Sequence, residues 1–109
     1  MWLGKVIAEI SIIPLGTGTP SVSEYIREAV KIIKCRGIPY RVCPMGTVVE
    51  GELDEVLDLL RDIHEVPFLM GAQRVVTRLV IDERRDKPVS MEQKVNSVKE
   101  RIGERDDVE

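Results

Sequence analysis

The run Tyr40 to Glu52, YRVCPMGTVVEGE, carries the residues best suited to recognising a polar ligand. Glu50 closes a short β-branched segment, where a carboxylate or carboxylic acid can pair with a ring nitrogen and the exocyclic amine of an aminopyrimidine together. The same residue can instead serve as an acidic group at the start of the helix that follows. Thr47 lies at the opposite strand parity, so the two side chains leave on different faces or belong to different ends of a bend. The sole histidine, His64, falls near the end of a helical pattern and beside its apolar stripe. There it reads as structural, for example as a donor to a carbonyl at the helix C-terminus. No spacing supports a Ser-His-Asp or Cys-His arrangement. Cys35 and Cys43 form no CxxC motif, and with one histidine they match no zinc-ligand spacing. They read as two reduced, buried thiols. Gly16-Thr17-Gly18-Thr19 sits between a strand and a helix N-terminus, where backbone N–H groups can hold an anion. It lacks both GxGxxG and the Lys-Ser/Thr of a P-loop, leaving a solvated turn and a ligand-contacting loop as its two readings. No catalytic constellation, metal or cofactor is expected.

These residues depend on a specific order of elements. Lys5–Ile13 is a nearly uninterrupted β-branched strand, with Val6, Ala8, Ile10 and Ile12 on one parity and Ile7, Glu9, Ser11 and Ile13 on the other. Ser21 and Glu24 have capping-box spacing, so a helix is expected from there to about Arg36, buried along Val22, Ile26, Ala29, Val30 and Ile33 and stopped by Gly37. Two short strands follow, Tyr40–Cys43 and Thr47–Glu50. Pro44-Met45-Gly46 turns between them, with Gly46 expected to supply a positive φ. A second helix, about Leu53–Glu65, is expected to bury Leu53, Val56, Leu57, Leu60 and Ile63, and Val66-Pro67 to end it. Gln73–Arg84 is a long strand whose Arg74 and Arg78 share a face with Glu9 and Ser11. Ser90 and Gln93 repeat the capping-box spacing and open a third helix to about Ile102. Its apolar stripe, Met91, Val95, Val98 and Ile102, is narrow, which suits docking on an edge or a partner better than a central core position.

The order is β-α-β-β-α-β, the split βαβ arrangement of ferredoxin-like α+β folds, with an additional C-terminal helix. Its antiparallel sheet has the strand order 4-1-3-2. The fourth strand is then an edge beside the first, where Glu9 can pair with Arg78, and an exposed edge invites a second subunit. At 109 residues the chain reads as one domain, 1–109, with 103–109 a frayed acidic tail. A core of this size gains from oligomerisation.

Charged residues make up 32% with mixed sign, and the net charge of -3 offers no global attraction to nucleic acid or anionic membrane. An RNA-recognition module shares the element order but needs exposed aromatics on its central strands, and strands one and three carry none. No apolar run reaches membrane-spanning length and no signal peptide is evident, so a cytoplasmic location is expected.

Ala8-Glu9-Ile10-Ser11-Ile12-Ile13-Pro14, the Gly/Thr loop before Ser23, and Tyr40 with Pro44-Met45-Gly46-Thr47-Val48-Val49-Glu50-Gly51 together resemble the small thiamine-binding-protein family related to YkoF, long catalogued as an uncharacterised protein family. The Pro-Met-Gly-Thr-x-x-Glu-Gly run is the specific part, and the resemblance spans about Val6 to Ile102. It implies a ferredoxin-like subunit that dimerises through its sheet and assembles into a homotetramer. It also implies binding of thiamine, or of its hydroxymethylpyrimidine moiety, in a pocket by the sheet. Ser11, Thr47 and Glu50 would be ligand contacts, Pro14 and Met45 pocket wall, and Gly16, Thr17, Gly18 and Thr19 loop or anion contacts. A non-catalytic small-molecule binder is the leading expectation. The alternative is a regulatory or scaffold oligomer whose ligand controls assembly. An enzyme using Glu9 or Glu50 as a general base lacks an electrophile or metal partner.

Overall fold

The protein is described by a computed structural model covering residues 5–87 and 90–103. Pro88, at the end of the charged turn expected over Arg84–Pro88, and the acidic tail after Gly103 lie outside the described residues. The elements are β1 (Lys5–Leu15), α1 (Ser23–Cys35), β2 (Tyr40–Cys43), β3 (Gly46–Glu52), α2 (Leu53–Leu69), β4 (Arg74–Asp82) and α3 (Met91–Arg101). The four strands form one antiparallel sheet in the order β2-β3-β1-β4. This is the expected ferredoxin-like α+β fold with a C-terminal helix added.

Strand parity sorts the two faces. Val6, Ala8 and Ile10 of β1 and Val49 of β3 are buried together with Ala29 and Ile33 of α1 and Val56, Leu59 and Ile63 of α2. Each fully buried aliphatic side chain of this kind contributes about 1.5–3 kcal/mol from removal of apolar surface from water. Odd-numbered β1 residues and Val76, Arg78 and Val80 of β4 lie on the other face, which the two long helices leave open.

Helix ends explain most of the boundaries. α1 closes in a Schellman motif. Gly37 at φ 68 donates to the Lys34 carbonyl at 3.0 Å and Ile38 donates to the Ile33 carbonyl at 3.3 Å. Ile33 and Ile38 are both buried, the hydrophobic pair this motif commonly makes. At the other end the Ser21 capping box does not form. The helix begins at Ser23 with Val22 as its cap residue, and the Ser21 hydroxyl lies 3.4 Å from that of Ser23. α2 runs four residues beyond the expected stop and carries Pro67 inside its last turns. A proline there removes one intrahelical hydrogen bond but already has helical φ. Its ring is fully buried, and a second Schellman motif at Gly71 ends the helix.

The buried stripe of α2 is also rotated from the expected one. Leu59 is 0% exposed, whereas Leu57 is 42% exposed. His64 donates to no helix carbonyl. Its Nδ1 lies 2.7 Å from the Thr77 hydroxyl, and its ring meets Phe68 edge-on at 5.5 Å, pinning α2 to β4. An Arg36–Asp62 ion pair ties the end of α1 to α2. Cys35 is exposed and Cys43 half-buried, so the expectation of two buried thiols does not hold.

α3 lies apart from this core and has no buried residue. The Ser90 hydroxyl caps it, accepting from the Gln93 N–H at 3.2 Å. The Glu50 carboxylate accepts from the Met91 N–H at 2.9 Å, and Lys94 pairs with Asp82 at 2.6 Å. No helix among the described residues is long and apolar enough to cross a membrane.

Leu59→Ala should therefore lower unfolding stability by about 2–5 kcal/mol and Leu57→Ala by well under half of that. Urea unfolding of the two variants distinguishes the observed helix phase from the rotated one.

Candidate functional site

The site arises because β1 outruns the hairpin beside it. Pairing of β1 with β3 ends at Ile10 opposite Thr47, whereas pairing with β4 continues to Leu15 opposite Arg74. Beyond the hairpin tip one edge of β1 has no strand next to it. A cleft of about 270 Å³ opens there. Ile10 and Ile12 of β1, Val22, Ile26, Ala29 and Ile33 of α1, and Ile63 of α2 give it an apolar lining. The hairpin contributes Val42 to Thr47, and Ser11, Ile13 and Arg78 complete the walls.

The hairpin tip is held against β1 by a close approach. The turn residues are Pro44 and Met45, and Cys43 pairs with Gly46, the first residue of β3. Gly46 is not at positive φ, contrary to expectation. Glycine is needed here for space: a Cβ at this position would lie 2.9 Å from the Ser11 hydroxyl and 3.0 Å from Cγ of Glu9. The Ser11 hydroxyl donates to the Met45 carbonyl at 3.0 Å. With its one proton committed, Ser11 offers the cleft only lone pairs and acts as an acceptor. Thr47 can either donate or accept.

The sequence-derived site residues separate into groups. Ser11, Met45 and Thr47 meet in the cleft. Glu50 does not join them. It lies opposite Ile7 on the open face, four residues along β1 from the Ser11 level, or about 13 Å at ordinary strand rise. Its carboxylate is engaged by the first N–H of α3. Pro14 is buried but forms no part of the cleft wall. Gly16 and Gly18 adopt φ of 69 and 83, and the loop makes hydrogen bonds within itself. The Thr17 hydroxyl donates to the Thr19 carbonyl at 2.9 Å, and Ser21 N–H donates to the Thr19 hydroxyl at 3.2 Å. This loop, too, stays outside the cleft wall.

Arg78 is the residue that strand parity alone could not place in the site. Register puts it opposite Ser11 and puts Glu9 opposite Val80, so the expected Glu9–Arg78 cross-strand pair is offset. Parity showed that Arg78 shares a face with Ser11, but not that the two stand level. A second groove, between the end of β4 and α3, is larger at about 590 Å³. Among the described residues its walls are mainly exposed polar and charged chains, including Asp82, Arg84, Lys87 and Lys94, with Val98 the one apolar side chain. Nearby, hydrogen bonding from Arg84 holds the Asp86 carboxyl below the usual carboxylate range. Among the described residues no three His, Cys, Asp or Glu side chains gather to hold a metal ion.

The molecule is thus a ferredoxin-like α+β domain with an apolar, polar-rimmed cleft at its hairpin tip. Its sequence places it more narrowly. The chain belongs to the thiamine-binding protein family, whose model matches residues 8–99. UPF0045 protein YqgV of Bacillus subtilis is 44% identical over 100 residues, which is 88% of this chain and 96% of that protein. A hypothetical protein of Methanocaldococcus jannaschii, known from its crystal structure, superposes with a TM-score of 0.80 at 43% identity and covers 90% of this chain and 99% of its own. A Thermotoga maritima protein described as a candidate for thiamine biosynthesis or salvage superposes with a TM-score of 0.72 at 30% identity, over 86% of this chain and 98% of its own.

The close packing at the tip makes a direct prediction. Gly46→Ala should cost about 1–3 kcal/mol through overpacking against Ser11 and Glu9. Combined with Ser11→Ala it should cost less than the sum of the two single changes, by at least about 0.5 kcal/mol. Additive unfolding free energies would show that the tip does not press on β1.

Proposed function

We propose that the chain is a non-catalytic small-molecule-binding protein that takes thiamine or its hydroxymethylpyrimidine moiety into the cleft at the hairpin tip. The observation that carries this reading is the cleft itself, an apolar floor with a few convergent polar groups, which is the usual composition of a small-molecule site. Membership of the thiamine-binding protein family supplies the ligand class. In this reading Ser11 accepts from the exocyclic amine of the pyrimidine and Thr47 donates to a ring nitrogen. Met45, 85% exposed at the tip, covers the ring with its thioether. Glu50 fastens α3 and stands outside the contact set. A cytoplasmic location belongs to the same proposal.

Titration calorimetry with thiamine and with hydroxymethylpyrimidine tests it. The expected result is saturable binding without turnover. Thr47→Val should weaken it roughly fivefold to tenfold, the value of one hydrogen bond. Ile26→Trp, which fills the cleft, should abolish it, and Glu50→Ala should retain it. Binding lost in Glu50→Ala and kept in Ile26→Trp would move the site to the far end of the sheet.

A second reading is a self-associating regulatory or scaffold protein. It is favoured by the open sheet face, where Ile13, Val76 and Val80 are 40%, 41% and 51% exposed beside the edge strand β4. A dimer or tetramer packed through this face would cover them. Val80→Lys should then lower the mass measured by light scattering. A monomeric wild-type mass, with and without saturating ligand, would eliminate this reading.

A further inference from the structure

We propose that Glu9 is the residue by which the site prefers a cationic ligand. Its carboxylate serves as counter-ion to the charged ring of thiamine, which lies on the open side of the sheet while the pyrimidine occupies the apolar floor. The inference rests on the reading that the cleft is the ligand site. It deepens that reading by naming the group that tells a charged ligand from a neutral one of the same shape.

Three observations carry it. The first is position. Glu9 stands opposite Val48 of β3 and Val80 of β4, but its side chain leans along the strand towards the hairpin tip. A Cβ on Gly46 would lie 3.0 Å from its Cγ and 3.2 Å from its carboxyl carbon, and 2.9 Å from the Ser11 hydroxyl. The carboxyl therefore sits beside Gly46 and Ser11, two residues of the cleft wall. The lack of a side chain at Gly46 is what lets it come so close.

The second is that this carboxylate is uncommitted. Among the described residues Glu9 has no hydrogen-bond or ion-pair partner. Asp62, Asp82 and Asp86 each hold a cation, and Glu50 holds a backbone N–H. Glu9 is half-buried, with a valine opposite it on both neighbouring strands. A carboxylate placed so gives up part of its hydration and receives no partner in return. A cation brought beside it is attracted more strongly than it would be at a fully solvated site. Arg78, level with Ser11 on β4, is exposed, so water screens its charge from the ligand more than it screens that of Glu9.

The third is that the cleft reaches both faces of the sheet. Ile10 and Ile12 line it from the covered face, and Ser11 and Ile13 from the open face. No β3 residue pairs with β1 beyond Thr47, so that edge of β1 is open to both sides. An apolar side and a polar side meeting at one strand edge match a ligand of two rings joined by a single carbon. In thiamine that carbon is attached next to the ring position that bears the amine. An amine held by the Ser11 hydroxyl therefore turns the cationic ring to the side of the strand on which Glu9 lies.

The test is calorimetry of wild type, Glu9→Gln and Glu9→Lys with thiamine and with 3-deazathiamine, whose thiophene keeps the shape of the thiazolium without its charge. Wild type should bind thiamine roughly fivefold to twentyfold more tightly than the neutral analogue, as one partly screened ion pair implies. That ratio should shrink as salt is raised. In Glu9→Gln it should fall to about one, and in Glu9→Lys the neutral analogue should bind the more tightly. The ligand-free thermal midpoint of Glu9→Gln should equal or exceed that of wild type, because the carboxylate has no partner to lose; a structural role would lower it. A wild type that does not prefer thiamine, or a preference that survives Glu9→Gln, overturns the inference while leaving the cleft as a binding site. So does a ratio unmoved in Glu9→Gln alongside a changed light-scattering mass, which would give the carboxylate to a second copy of the chain. Failure of both ligands to bind wild type overturns the inference and the cleft reading together.

Discussion

The mismatch in length between β1 and the hairpin beside it is the constraint on which the rest of the structure depends. A central strand paired on both edges along its whole length would seal the sheet. Here β1 and β4 run on together for five residues beyond the last β1–β3 pair, Ile10 with Thr47. The unpaired edge cannot be left against bare hydrocarbon, because backbone groups need partners or water. The cleft is the consequence: the hairpin tip on one side, α1 on the other, and solvent admitted between them. Gly46 sets how close the tip can come, since any side chain there would push against Ser11 and Glu9.

Polar contacts hold the surrounding pieces in place without filling that gap. His64 and Thr77 fix α2 to β4 on the covered face. Glu50 and Lys94–Asp82 fix α3 at the end of the open face remote from the cleft. Glu50 is a carboxylate at a helix N-terminus, where it neutralises an otherwise unpaired N–H and complements the helix dipole. That use explains why a glutamate well suited to a pyrimidine is spent on architecture. Among the described residues, the polar side chains of the cleft wall are then two hydroxyls, one thiol and one arginine.

Much of this was legible in the sequence. Period-2 and period-3.6 patterns gave every strand and helix, and the order of elements gave the sheet order, because only a few topologies accommodate it. The PMGT-x-x-EG run pointed to the family. Ser11, Met45 and Thr47 could be brought together because strand parity and the hairpin turn are local properties. Gly37 and Ser90 act at helix ends through their own backbone or hydroxyl, and such effects reach only one or two turns.

What the sequence could not decide were matters of relative placement. Leu57 and Leu59 flank the same helical stripe, and which flank is covered depends on where α1 lies. Pro67 is a helix breaker by its own chemistry, but buried packing around its ring and a motif four residues later let the helix run past it. Gly46 could be read as a turn glycine until the approach of Ser11 and Glu9 showed that it makes room. Glu50 stands away from the cleft and Arg78 beside it for the same reason. Register across three strands is set by the sum of packing on both faces, and a two-residue offset decides whether a charge is neutralised or left facing a cleft. The sequence by itself determined the elements, their order and the polar groups available. Only the tertiary structure decided which of those groups stand level with one another, because distance across a sheet is fixed by register and not by residue type.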